Sequence, residues 1–236
     1  MLNSFKMKSA ANRYLLLQRT QFQRPISQVM QRLCGVNFYS RWMMGLVEYG
    51  RGKKIADLYY KAMQEEFDIL RPHLPKTCNH FIDVGCGLAG IDALIYSHYQ
   101  NAGPNVTLVD KTGTSKIYYG YKTEASYYND LGLSVDFLIS NGIEPSKITA
   151  INIDQAPFPT KQADFVLSLM SWGYHYPVET YLNAAFDVLT PGGLLFLDLR
   201  ENDQLSQVQK TIRDVFGDIK IIAQTNKIIK IMAQKL

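Results

Sequence analysis

Acidic residues are missing from the first 47 positions of this 236-residue chain, and Glu48 is the first to appear. Residues 1–56 hold ten Lys/Arg against that single acid, a net +9. With +4 over the whole chain, residues 57–236 therefore carry −5. The acid-free opening, MLNSFKMKSAANRYLLLQRTQFQRPIS, has the makings of a mitochondrial targeting peptide. It reads more simply as a basic helical arm that docks on its own domain or on an anionic partner. Cysteine is scarce as well. Cys34, Cys78 and Cys86 are odd in number and lack metal-ligand spacing, which excludes a disulfide framework and argues against a zinc site. Free thiols in a reducing compartment, the cytoplasm, are the simplest reading. No apolar run approaches the ~18 residues of a membrane span, and there is no internal repeat or low-complexity tract. What remains is a globular composition, 47% apolar and 19% charged, sized for one α/β domain plus a short extra segment.

Apolar residues recur at helical spacing through 26–47 and again at Ile55, Leu58, Tyr59, Ala62, Met63, Phe67 and Leu70, with Pro72 and Pro75 beyond. This predicts a basic helical N-terminal segment, 1–76, leading into a main domain, 77–236. In the main domain strands are predicted at 80–84, 106–110, 148–152, 164–170 and 194–199. Helices are predicted at 90–100, 123–141 and 178–189. Such alternation implies a doubly wound, mostly parallel sheet. Two β-rich runs, IKIIAQ and KIIKIMAQ, flank a polar TN pair and predict a closing antiparallel hairpin, giving seven strands.

The stretch FIDVGCGLAG, 81–90, carries G-x-G-x-x-G spacing directly after a strand. Gly85 and Gly87 permit a sharp turn and close approach of a ligand to the backbone. Asp110 ends the second strand, where a carboxylate can accept from both hydroxyls of a ribose. These features fit a nicotinamide dinucleotide and an adenosyl amino acid equally. Asp83 separates them, because a carboxylate there repels a pyrophosphate and attracts an ammonium group. The closing hairpin and the lack of room for a second substrate domain also weigh against an NAD-linked oxidoreductase.

FIDVGCGLAGID, the acid in LVDK, INIDQAPFPTKQADFVLSL and LTPGGLLFLDL together resemble the successive motifs of class I S-adenosylmethionine-dependent methyltransferases, in order, over residues 78–236. The resemblance implies that Gly85 and Gly87 pack beneath the methionyl and ribose parts of S-adenosylmethionine. It further implies that Asp83 binds the amino group, Asp110 holds the ribose and Lys111 lies against the adenine. Where the family usually has Asp-Ala this chain has Asn152-Ile153, whose side-chain oxygen and backbone N–H would meet the adenine, with Asp154 as the fallback. Ser168, at the end of the fourth strand, joins the cofactor set.

Methyl transfer to an alcohol needs a base, and the loop after the fourth strand, SLMSWGYHYPVETY, holds one titratable group with an ordinary pKa near neutrality, His175. Trp172, Tyr174 and Tyr176 offer flat faces for a sugar or other ring, and Arg200 stands at the expected pocket mouth. This loop and the tyrosine-rich 110–130 stretch, a candidate lid, locally resemble a bacterial subgroup of sugar O-methyltransferases. The expected substrate is accordingly a sugar, glycolipid or other small hydroxylated molecule. RNA stays open as an anionic partner, although the D/N-P-P-Y/F/W tetrapeptide of adenine-N6 enzymes is absent and no cysteine follows Cys86. Two alternatives stand beside this reading: a non-catalytic protein that keeps the fold for binding or assembly, and an N-methyltransferase acting on RNA, protein or a small molecule.

Overall fold

The computed structural model describes residues 2–34, 49–99, 103–112 and 130–236. Seven strands form one sheet: β1 (His80–Val84), β2 (Asn105–Asp110), β3 (Ile148–Asn152), β4 (Ala163–Ser168), β5 (Leu189–Arg200), β6 (Ile219–Gln224) and β7 (Ile228–Gln234). Their order is β3-β2-β1-β4-β5-β7-β6. The first five pair in parallel, whereas β7 runs antiparallel to both β5 and β6. The order reverses between β1 and β4, so the carboxyl end of β1 lies at the switch point where ligands of open α/β sheets bind.

The helices are α1 (Ser9–Gln18), α2 (Pro25–Cys34), α3 (Gly52–Leu70), α4 (Gly90–Tyr99), α5 (Leu131–Ser140), α6 (Leu182–Val188) and α7 (Leu205–Phe216). Period-2 alternation splits the core in two. Phe81, Phe165 and Phe196 line one face, with the first two rings stacked at 5.0 Å, and pack under α1, α3, α4 and α5. Ile82, Val166, Leu195 and Leu197 line the other face, under α6 and α7.

Several details differ from the sequence expectation. Helix α7 adds to the three predicted after β1; its Ile212 and Phe216 are buried, and its C-terminus stops at Gly217 (φ +84°), whose N–H bonds Arg213 O. Strand β5 starts five residues early, directly after α6, and its register against β4 shifts around Gly192 and Gly193. The β6–β7 connection has three residues rather than two. Thr225 Oγ1 accepts from the N–H groups of Lys227 and Ile228 there, so a side chain shapes the turn. Lastly, α5 begins at Leu131 with Asp130 as its cap, accepting from Gly132 N at 2.9 Å. The remainder of that predicted helix, with most of the candidate lid, lies outside the described residues.

The N-terminal segment shares the sheet's core. Phe5, Ala11, Tyr14, Leu15 and Leu16 are buried in the cluster that holds Phe81 and Phe165. The Phe5 ring meets Tyr59, Tyr60 and Phe137 at 5.0–5.3 Å. Asn141 ties Lys6 down through both backbone groups, accepting its N–H at 2.9 Å and donating to its carbonyl at 3.0 Å.

Candidate functional site

Between Asp83 and Gly90 every residue is buried except Gly85 and Gly87, which leave backbone accessible at the carboxyl end of β1. Both are in the left-handed region (φ +79° and +53°), as is Ala89 (φ +59°). That chain path lets Gly87 N–H donate to Asp110 Oδ2 at 3.0 Å while Gly85 N–H donates to Val109 O at 2.7 Å. The other Asp110 oxygen accepts from Lys111 N at 2.7 Å. The glycine loop and the end of β2 are thus clamped by one half-buried carboxylate.

The glycines also serve packing. A Cβ on Gly85 would stand 2.0 Å from Ser171 Oγ, and one on Gly87 3.2 Å from Gln18 Oε1. Glycine is therefore required at 85 for the approach of the loop after β4, a reason separate from any ligand.

Beneath the loop lie two carboxyls. Asp83 is buried at the end of β1, and Asp92, fully buried in the first turn of α4, faces it. Burial, together with the neighbouring Asp92 carboxyl, pushes Asp83 well above the usual carboxylate range, and burial pushes Asp92 up to about 7. Among the described residues neither Asp83 Oδ1 nor either Asp92 oxygen has a hydrogen-bond partner. The pair forms a buried cluster of acceptors, and such a cluster suits a cation.

A third wall comes from the N-terminal segment, which sequence reasoning did not place here. Tyr14 is fully buried, and its hydroxyl accepts from Gln18 Nε2 at 2.7 Å. Tyr59 OH accepts from Gly90 N at 2.8 Å, which fixes the start of α4. Ser134 of α5 donates to Gly87 O. Only Asp92, two residues past the last glycine, carried a local signal; the other contacts join segments from 31 to about 70 residues apart.

Among the remaining expected cofactor residues, Lys111 Nζ lies 3.0 Å from Asp154 Oδ1 beside Asp110. Asn152 and Ile153 sit at the end of β3, but their polar groups are engaged. Asn152 Oδ1 accepts from Asp154 N at 3.1 Å, and Ile153 N–H donates to Asp110 O at 3.0 Å. The Ile153 N–H expected for adenine thus closes the β2–β3 junction instead. Ser168 is fully buried; it donates to Val84 O at 2.6 Å and accepts from Trp172 N at 2.9 Å, fastening β4 to β1 behind the loop.

In the loop after β4, Ser171 O collects the N–H groups of Tyr174, His175 and Tyr176 in a tight turn that follows Met170 (φ +57°). Trp172 departs from its expected role as a substrate platform. Its indole is 1% exposed, donates to Val178 O at 2.8 Å and packs edge-on to Tyr181, which leaves no face for a ligand. The turn instead presents His175, exposed and edge-on to Tyr174 at 4.9 Å, with Arg200 Cζ 4.6 Å from the Tyr174 centroid. Desolvation by the protein surface lowers the His175 pKa from its ordinary value. Tyr176 is half-buried and pairs with Trp172 across the turn. Among the described residues no His/Cys/Asp/Glu group has the geometry of a metal site, and no helix is long and apolar enough to cross a membrane.

The strand order with its terminal hairpin is the class I S-adenosylmethionine-dependent methyltransferase fold. The chain is similar to a candidate O-methyltransferase from Nostoc punctiforme (TM-score 0.56, 11% identity, 95% of this chain and 72% of that one). It is comparably similar to an O-methyltransferase family protein from Burkholderia thailandensis (0.56, 12%, 89% and 70%). A ribosomal protein L11 methylase from Lactobacillus delbrueckii subsp. bulgaricus also aligns (0.53, 12%, 75% and 79%). No family model and no curated protein matches the chain.

Proposed function

We propose that this protein transfers a methyl group from S-adenosylmethionine to a hydroxyl of a sugar or other small polyhydroxylated molecule, with His175 as general base. The observation that carries the reading is the clamp between Gly87 and Asp110, which puts accessible glycine backbone beside a carboxylate at the switch point of the sheet. The donor set matches an adenosyl amino acid. Asp110 takes the ribose diol, Lys111 and the Asn152-Ile153 corner border the adenine, the Asp83–Asp92 pair faces the ammonium, and Ser168 braces the floor. When bound, the sulfonium supplies an electrophilic methyl. The protein's part is to align the acceptor and to exclude water.

Oxygen as the acceptor atom is supported by the descriptions of the Nostoc and Burkholderia neighbours and by His175 itself. Desolvation lowers the pKa of this imidazole and so favours its neutral form, the form that takes a proton from a hydroxyl. Tyr176 and Arg200, with Tyr174, flank it as substrate contacts. Calorimetry with S-adenosylhomocysteine, followed by turnover on sugars, nucleotides and amines, tests the reading. His175→Ala is expected to lower kcat by about 10²–10⁴-fold with unchanged cofactor affinity. Failure to bind S-adenosylhomocysteine returns the protein to a non-catalytic role, while turnover of amines that is indifferent to His175 makes it an N-methyltransferase.

A further inference from the structure

The end of α1 lies over the glycine loop with a polarity opposite to that beneath it. Gln18 places its carboxamide over Gly87, where a Cβ would stand 3.2 Å from Oε1 and 3.6 Å from Nε2. One of its amide hydrogens goes to the buried Tyr14 hydroxyl, which fixes the amide and leaves a second N–H. The next residue, Arg19, holds its guanidinium 5.7 Å from the centroid of Tyr59, whose hydroxyl is bonded to the N–H of Gly90 at the start of α4. Among the described residues no carboxylate forms an ion pair with Arg19. The loop is therefore bordered by acceptors at Asp83 and Asp92, and by an amide donor and a cation at the end of α1. A zwitterion bound at the loop has a group of complementary character for each of its charges. A bare adenosine uses neither, and a pyrophosphate is repelled by the acceptors.

We propose that the end of α1 binds the carboxylate of the ligand's amino-acid tail, with Arg19 as its counter-charge, Gln18 as its amide donor and Tyr14 as the residue that positions Gln18. The inference rests on the function proposed above and deepens it. The N-terminal segment becomes part of the cofactor site, and the site selects adenosyl amino acids over tail-less nucleosides.

Calorimetry on the full chain with two probes separates the possibilities: S-adenosylhomocysteine, which has the tail, and 5′-methylthioadenosine, which lacks it. Wild type is expected to bind both, the first more tightly. Arg19→Ala and Gln18→Ala should each weaken S-adenosylhomocysteine by about tenfold or more, the loss expected for a charge-assisted hydrogen bond. Binding of 5′-methylthioadenosine should stay unchanged, which also reports an intact fold. Tyr14→Phe should give a smaller loss with the same selectivity. Equal losses for both probes, or none for S-adenosylhomocysteine, overturn the proposal and leave the function standing. Wild type that binds neither probe overturns both.

Discussion

Burial decides the chemistry of the residues under the glycine loop. Asp92 is a fully buried carboxyl with another carboxyl as its neighbour, so its protonated form is the favoured one up to about pH 7. Its folded-state pKa stands above the unfolded value of about 4. The folded protein therefore holds more protons than the unfolded chain between these values, and stability falls as pH rises from about 4 to about 7. Asp92→Asn keeps the shape and supplies a permanent N–H toward Asp83. It should stabilise the protein at pH 8 by on the order of 2 kcal/mol, seen as several degrees in Tm, and leave Tm at pH 4 nearly unchanged. A variant whose Tm profile parallels that of wild type across pH 4–8 would show that Asp92 is not buried as a proton-holding pair. Asp83 was legible in the sequence because it breaks an otherwise apolar strand next to glycines. Asp92 was not singled out, since an acid in the first turn of a helix is ordinary.

Among the elements, the strands were the most readable, and the reason is local. β1, β3 and β6 match their predicted limits because each is a short apolar run flanked by polar or turn residues. β5 was read too short because Pro191, Gly192 and Gly193 look like a turn, whereas here they are carried inside a strand whose register shifts. Element-level chemistry also hides in β7. Lys230 looks like a solvated charge in KIIKIMAQ, yet it is 3% exposed. Its ammonium pairs with Asp198 of β5 and lies 3.2 Å from Glu66 of α3, joining the hairpin to the parallel sheet and to the N-terminal helices. Burial raises the Asp198 pKa and the lysine opposes that rise. Lys230→Met leaves a buried carboxyl without its partner and should cost about 3 kcal/mol in denaturant unfolding. Adding Asp198→Leu removes the orphaned charge, so the double variant should recover most of that loss. If the single variant is as stable as wild type, the triad contributes nothing net to the fold.

At the scale of the whole molecule, composition and motif order divide the chain near residue 76, with a basic segment before it and an α/β domain after it. The charge changes sign earlier, near residue 56, and packing respects neither boundary. Phe5, Tyr14, Leu15 and Leu16 share a core with Phe81 and Phe165, and Tyr59 holds the first turn of α4. Contacts between residues this far apart leave no periodic trace in a single sequence, so they could not be read from it. They have a thermodynamic consequence. Burying such side chains contributes roughly 1.5–3 kcal/mol each, so the N-terminal helices cannot leave without removing much of a margin of about 5–15 kcal/mol. We therefore propose that residues 1–76 and 77–236 unfold as one unit. With Trp42 replaced by Phe, Trp172 becomes the sole tryptophan and reports from the face of the sheet opposite α1. Its fluorescence and the far-ultraviolet helix signal should then trace a single urea transition with one midpoint. Excess S-adenosylhomocysteine, at about 100 times its Kd, should move both probes together by about 2.7 kcal/mol. A helix signal that melts first, with Trp172 still native, would mean that the N-terminal helices are a separable arm and that the shared core does not couple them to the sheet.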